Sequence, residues 1–251
     1  MAGLRLALSM FTVTPVRVRR VDRAAAGVAM ALAPAVGALL GTVLGAAALG
    51  ALVAGAGHAL AAAGVVTLGA LLTRGLHLDG LADTTDSLGS YRDQQTALEI
   101  MKRSDIGPFG VAALILVLLL QATAGARVLT AAPLALVVSL AVVAASGRLG
   151  VTIACRRGVP PARETGMGAL VAGTTARPTA VIAAIGVGLL AISAVPARPW
   201  QGPLALAVAL GCSMLLTRHA VRRLGGITGD VLGAIVEVTS TITLIGLALG
   251  R

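Results

Sequence analysis

Residues 24–72 read AAAGVAMALAPAVGALLGTVLGAAALGALVAGAGHALAAAGVVTLGALL. The run contains no Asp, Glu, Lys or Arg, and His58 is its one titratable residue. A membrane-spanning helix needs about 20 apolar residues. The run is too long for one span, so two helices are predicted, over 24–47 and 49–72. Five further apolar stretches follow, over 106–123, 128–146, 179–195, 203–217 and 231–249. The sixth of the seven is the shortest and is expected to tilt little or to thin the bilayer locally.

Composition agrees with a membrane reading. Of 251 residues, 57% are hydrophobic and only 12% charged, whereas a soluble domain carries about 25% charged residues. Mean hydropathy is +0.94. The fold class expected is therefore all-α: a polytopic helical bundle of about seven spans, with residues 1–251 forming one membrane-embedded catalytic domain. The segment 4–15 (LRLALSMFTVTP) is too short to cross and is expected to lie at the interface or to re-enter it. Cys155 and Cys212 stand far apart, with no CxxC pattern, and read as free thiols.

The net charge of +10 does not point to nucleic acid, because the basic residues sit singly at junctions between apolar runs. They also fix the orientation. With a cytoplasmic N-terminus, the inner regions collect 17 of the 20 Lys and Arg residues. Among these are Arg17, Arg19, Arg20 and Arg23 before the first span. Only Arg127, Arg198 and Arg251 fall outside, as the positive-inside rule requires. All ten acidic residues lie in inner regions or near them. That places one reactive face on the cytoplasmic side and argues against a transporter, whose charges would sit near the midplane.

Chemistry concentrates in the first inner loop, 73–105. Asp79, Asp83 and Asp86 are spaced to share one helical face. Three carboxylates on one face repel unless a cation sits among them. Mg2+ is the simplest candidate, since it prefers carboxylate oxygens and leaves room for substrate phosphates. His77 beside them is a proton acceptor, a substrate contact or an interfacial residue. Further along, ALEIMKRSDIGPFG (97–110) offers Lys102 and Asp105, and Glu99 with Arg103 at a helix-supporting spacing. In the second inner loop, Arg148 follows a span end and is placed to meet a phosphate, while PPARETGMG ends in small residues. In the third, RRLGGITGDVLGAIVE (222–237), Gly229 permits close ligand approach and Thr228 suits a helix cap. Asp230 and Glu237 lie seven apart on one face. Glu237 falls two turns inside an apolar segment, so a partner or a metal is expected. Acids for a metal and bases for phosphate are the equipment of phosphoryl transfer.

The motifs LHLDGLADTTDSLGS, ALEIMKRSDIGPFG and RRLGGITGDVLGA, with the opening ALSMFTVTPV, resemble the cobalamin synthase family in order and spacing over nearly the whole chain. The resemblance implies an inner-membrane adenosylcobinamide-GDP ribazoletransferase of the EC 2.7.8 phosphotransferase class. Such an enzyme joins adenosylcobinamide-GDP to alpha-ribazole, or its 5′-phosphate, and releases GMP. It implies Mg2+ held by Asp79, Asp83 and Asp86, with Asp230 and Glu237 completing the site. Lys102, Arg148 and Arg163 would neutralise phosphate charge, with Asp105 and Gly229 also at the substrate. One aspartate, or His77, would take the proton of the attacking hydroxyl. Membrane lipid is the expected surrounding partner, nucleic acid is not, and a homo-oligomer is compatible with such a bundle. The chain departs from the family pattern at Ser87, at Ser240-Thr241 and at ARETG (162–166). The competing enzyme reading is a CDP-alcohol phosphatidyltransferase, but Asp83 stands where that motif requires arginine.

Overall fold

A computed structural model describes residues 1–19 and 21–251; Arg20 lies outside the described residues. Ala- and Leu-rich sequence favours helix, and lipid demands that every backbone group be satisfied within its own segment. The chain follows both rules. Its helices are α1 (Ala2–Phe11), α2 (Arg23–Val53), α3 (His58–Leu72), α4 (Leu76–Gly89), α5 (Gln94–Ile100), α6 (Pro108–Val128), α7 (Pro133–Ala154), α8 (Met167–Val171), α9 (Arg177–Ile192), α10 (Gln201–Leu224) and α11 (Gly229–Ala248). Five of them (α2, α6, α7, α10 and α11) are long and apolar enough to cross a membrane.

Each expected span has a helix at its place, but the lengths are redistributed. The short apolar helices are α3 and α9, with 15 and 16 residues, while α10 has 24. Asp22 caps α2 by accepting from the Ala25 amide at 2.8 Å. α2 runs on to Val53, beyond the expected break at 48, so the turn falls at 54–57 and shortens α3. α7 continues through Arg148, which was expected in a loop, because that guanidinium is buried within the bundle instead of facing water. The inner loop 73–105 is mostly helical: it forms α4 and α5. α5 ends at Ile100, so the expected Glu99–Arg103 helical pair does not form; Gln95 donates to Glu99 instead.

α7 and α11 are the most deeply buried spans, and the others surround them. Small residues let backbones touch where no hydrophobic force joins helices in lipid. Gly37, Gly41 and Gly45 of α2 face the α7 backbone at Ala144, Leu140 and Val137, each without space for a Cβ. On α7, Gly147 meets the Val236 carbonyl and Ser240 side chain of α11, and Gly150 the Thr239 and Ile235 side chains, again with little space for a Cβ.

The inner loops meet at one end of the bundle. The Ile227 amide donates to the Pro160 carbonyl, and the Ala162 amide to the Ile227 carbonyl, both at 3.0 Å. Arg163 donates to Leu98 O, and Arg223 to Arg92 O. Arg198 and Arg251 clamp carbonyls at the other end, at Leu249, Gly250, Val128 and Ala194.

Candidate active site

α4 is set across the end of the bundle by an elbow. Arg74 (φ 58°) and Gly75 (φ 66°) are both left-handed, and α3 and α4 meet at 88°. Arg74 is an uncommon residue for that conformation; its Nη2 donates to Ser9 O at 2.7 Å and holds α1 against the elbow. Past the bend, α4 buries one face (His77, Leu81, Thr84) and turns the other outward, leaving Asp79 exposed and Asp83 half-buried.

Gly80 determines what that outer face meets. Its Cα lies on the α11 backbone, where a Cβ would stand 2.6 Å from Asp230 O and 3.1 Å from Gly233 Cα. The close crossing brings Asp79 and Asp83 to Asp230. Partial burial, followed by the charges of Asp79, Asp230 and Asp86, pushes the Asp83 pKa up to about 6. Thr228 caps α11 by accepting from the Val231 amide and donates to Asp230 Oδ2, both at 3.2 Å. Arg163, placed by the 160–162 bridge, acts on Asp230 through space. It lines a cleft of about 160 Å3 with Gly229 and Asp230. Arg163 also lines the adjoining groove with Lys102, so two of the three cations expected at phosphate are neighbours. Asp105 is exposed in the turn before α6.

Asp86 departs from the expected set. Its Oδ2 accepts from the Gly107 amide at 2.7 Å and its Oδ1 from the Gly110 amide at 2.9 Å. A carboxylate on the free amides of a helix N-terminus is a cap. Asp86 therefore fixes α6 to α4 through both carboxylate oxygens. Both glycines are needed, since a Cβ on either would strike the Asp86 carboxylate.

His77, Arg148 and Glu237 also depart from it. His77 sits two residues before Asp79, about 160° around the helix, so it points down into the bundle. It is 7% exposed, and burial, then the Arg148 charge, holds its pKa well below the ordinary value. Glu237 lies two turns below Asp230 and lines the same inner cavity as His77 and Arg148. Gln121 of α6 donates to Glu237 Oε2 at 2.8 Å and to Thr241 Oγ1 at 2.9 Å. Glu237 thus has the partner its depth demanded, but not among the aspartates. Sequence reasoning passed over Gln121, although one glutamine in the apolar run LILVLLLQATAG was a usable signal.

Among the described residues no three His, Cys, Asp or Glu side chains converge as a closed metal cage. The donors nonetheless fit Mg2+, which commonly takes one or two protein carboxylates and completes its shell with water and substrate phosphates. Asp79 and Asp230 supply such carboxylates across the helix crossing, beside a cleft flanked by Arg163.

Comparison with known proteins adds the family. A family model described as "Cobalamin-5-phosphate synthase" matches residues 3–248. The chain is 42% identical to an adenosylcobinamide-GDP ribazoletransferase of Frankia casuarinae over 99% of its own length and 95% of the relative. A Stutzerimonas stutzeri protein of the same name is 40% identical, covering 99% and 98%. One from Corynebacterium efficiens is 37% identical, covering 97% and 90%. No solved structure matches the chain.

Proposed function

Because the chain belongs to the cobalamin-5-phosphate synthase family, we propose that it joins adenosylcobinamide-GDP to alpha-ribazole, or its 5′-phosphate, with release of GMP. The observation that carries the assignment of the site is the Gly80 crossing, which sets Asp79 and Asp83 against Asp230. On this reading Asp79 and Asp230 hold Mg2+. The bound cation would neutralise pyrophosphate charge as the phosphorus is attacked.

The side chains divide the remaining work. Arg163 and Lys102 bind the pyrophosphate from the cleft and groove they line, as cations suit phosphate oxygens. Gly229 lets the phosphate approach the amides at the α11 N-terminus. Asp83 accepts the proton of the ribazole 5′-hydroxyl. A carboxyl raised to about 6 is ionised at neutral pH yet holds a proton better than an ordinary aspartate, which suits a general base. The hydroxyl oxygen attacks the phosphorus next to cobinamide, that phosphorus–oxygen bond to GMP breaks, and GMP leaves with the electron pair. Transfer to a hydroxyl with loss of GMP is phosphotransferase chemistry of the EC 2.7.8 kind. The positive-inside pattern of the Arg-rich end supports an active site on the cytoplasmic face of the bacterial inner membrane.

The test uses the full chain in membranes supplied with adenosylcobinamide-GDP, alpha-ribazole and Mg2+. GMP and a cobamide should appear in equal amounts, and chelation should stop both. Hydrolysis to GMP without a cobamide, or no turnover at all, would refute the proposal.

A further inference from the structure

The first turns of α2 and α9 flank an open groove of about 480 Å3, lined by neither Asp79 nor Asp230. One wall is the α2 face Ala24, Gly27, Val28 and Ala31; Thr179 of α9 stands opposite, and residues 173–176 form the floor. Arg23 also lines it. From Arg23 to Ala31 the helix rises about 12 Å, so the groove runs from the charged end of α2 towards the hydrocarbon of the bilayer. The helix faces around it are apolar and open: Val28 and Leu39 of α2 are 51% and 61% exposed, and Ile182 and Ile185 of α9 are 70% and 57% exposed. Exposed apolar surface of this extent marks contact with lipid.

Positive charge gathers at one end of the groove. Arg23 is exposed yet fixed: its Nη1 donates to Ala169 O, and its Nη2 to Ala172 O at 2.7 Å. A guanidinium carries five N–H donors, so Arg23 is held in place with donors to spare. The Arg157 amide donates to Thr175 O in the floor at 3.0 Å. Arg177, also exposed, follows Ala176 at the start of α9. Arg17 and Arg19 are exposed in the segment that leads into α2. Among the described residues no carboxylate lines the groove.

This combination selects an occupant. Guanidinium groups suit phosphate oxygens, but a free phosphate would leave the apolar depth unfilled. A bare hydrocarbon chain would leave the arginines unmet. A zwitterionic headgroup would bring its own ammonium among them, whereas clustered arginines at a membrane surface favour a net negative headgroup. We infer that the groove binds one anionic phospholipid from the leaflet at the Arg-rich end of the bundle. Its phosphate lies on Arg23 and Arg177, and an acyl chain follows α2 past Val28 and Ala31. This is a defined site, distinct from the lipid that surrounds the other helices, and it does not rest on the transferase reading. Ala169, which accepts from Arg23, also lines the cleft at Asp230, so α8 stands between the lipid site and that cleft.

The test uses the full chain purified in a nonionic detergent. It is titrated with phosphatidylglycerol and with phosphatidylcholine of the same acyl chains, and native mass spectrometry counts the lipid retained. Wild type should hold one phosphatidylglycerol per chain, on the order of tenfold more tightly than phosphatidylcholine, about 1.4 kcal/mol. Arg177→Gln should weaken that binding about fivefold, the equivalent of about 1 kcal/mol for one arginine. Ala31→Phe fills the apolar depth and should weaken it on the order of tenfold. Arg103→Gln removes an exposed arginine outside the groove and should change nothing. Equal retention of the two lipids, or undiminished retention in both groove variants, would overturn the inference. An equal loss in Arg103→Gln would overturn it too, by reducing the site to general attraction between basic protein and acidic lipid. So would displacement of the phosphatidylglycerol by inorganic phosphate, since the chain would then contribute nothing. If Ala31→Phe fails to fold, Arg177→Gln and the comparison of the two lipids decide.

Discussion

Gly80→Ala is a small change placed at the crossing that assembles the site. The added Cβ would stand 2.6 Å from Asp230 O, where an ordinary contact begins at 3.4 Å, so the helices must part by ~0.8 Å. The neighbours are backbone atoms of α11, not flexible side-chain ends, and cannot swing aside. Overpacking of this kind costs about 1–3 kcal/mol. Alanine recovers up to about 1 kcal/mol of helix propensity over glycine. The net loss of roughly 0–2 kcal/mol leaves the protein folded. Catalysis is more sensitive, because a 1 Å misplacement of reacting groups costs on the order of 100-fold. The variant should therefore insert normally, melt within a few degrees of wild type, and lose on the order of 100-fold in the rate of GMP release. Gly186→Ala, with nothing within 4 Å of the new Cβ, is the control and should retain full rate. Wild-type turnover by Gly80→Ala would refute the claim that the α4–α11 approach builds the site.

Three further outcomes follow. Asp83→Asn should abolish cobamide formation, measured as GMP release, while membrane insertion and melting temperature are preserved. Asp86→Ala should be chiefly a stability variant: it removes two charge-assisted bonds at the start of α6, worth about 1.5–3 kcal/mol each at most, and calorimetry of the detergent-solubilised protein should show the loss. The rate should rise with pH through about 6 at limiting Mg2+, because Asp83 acts as a base only when ionised. Saturating Mg2+ should move that midpoint lower, since a nearby cation favours the carboxylate; a midpoint that ignores Mg2+ would place Asp83 away from the metal.

Much of this was legible in the sequence. Charge-free runs gave the helices, because spans in lipid leave little choice of secondary structure, and the arginine distribution gave the end at which the loops meet. The aspartate spacing gave a shared face on α4. The elbow at Arg74–Gly75 was less visible, since a left-handed arginine has no sequence signature. Asp86 read as a ligand because helical periodicity cannot distinguish a carboxylate facing a metal from one facing the amides of the next helix. Glu237 and Arg148 were assigned to metal and phosphate on residue type. Their placement in an inner cavity depended on α7 running six residues past Arg148, which the charge itself argued against. Gly80 stood inside the motif DGLAD, but its role appears only once α11 is laid against it.

If the α4–α11 crossing builds the catalytic centre, Asp79 and Asp230 form one cation site there. Electron paramagnetic resonance of Mn2+, standing in for Mg2+, measures this directly on the full chain in nanodiscs with adenosylcobinamide-GDP present. Wild type should show one bound Mn2+, Asp79→Asn and Asp230→Asn should each weaken it by tenfold or more, about 1.4 kcal/mol, and Glu237→Gln should leave it unchanged. Undiminished Mn2+ binding in both aspartate variants, or its loss in Glu237→Gln, would place the cation away from the α4–α11 crossing.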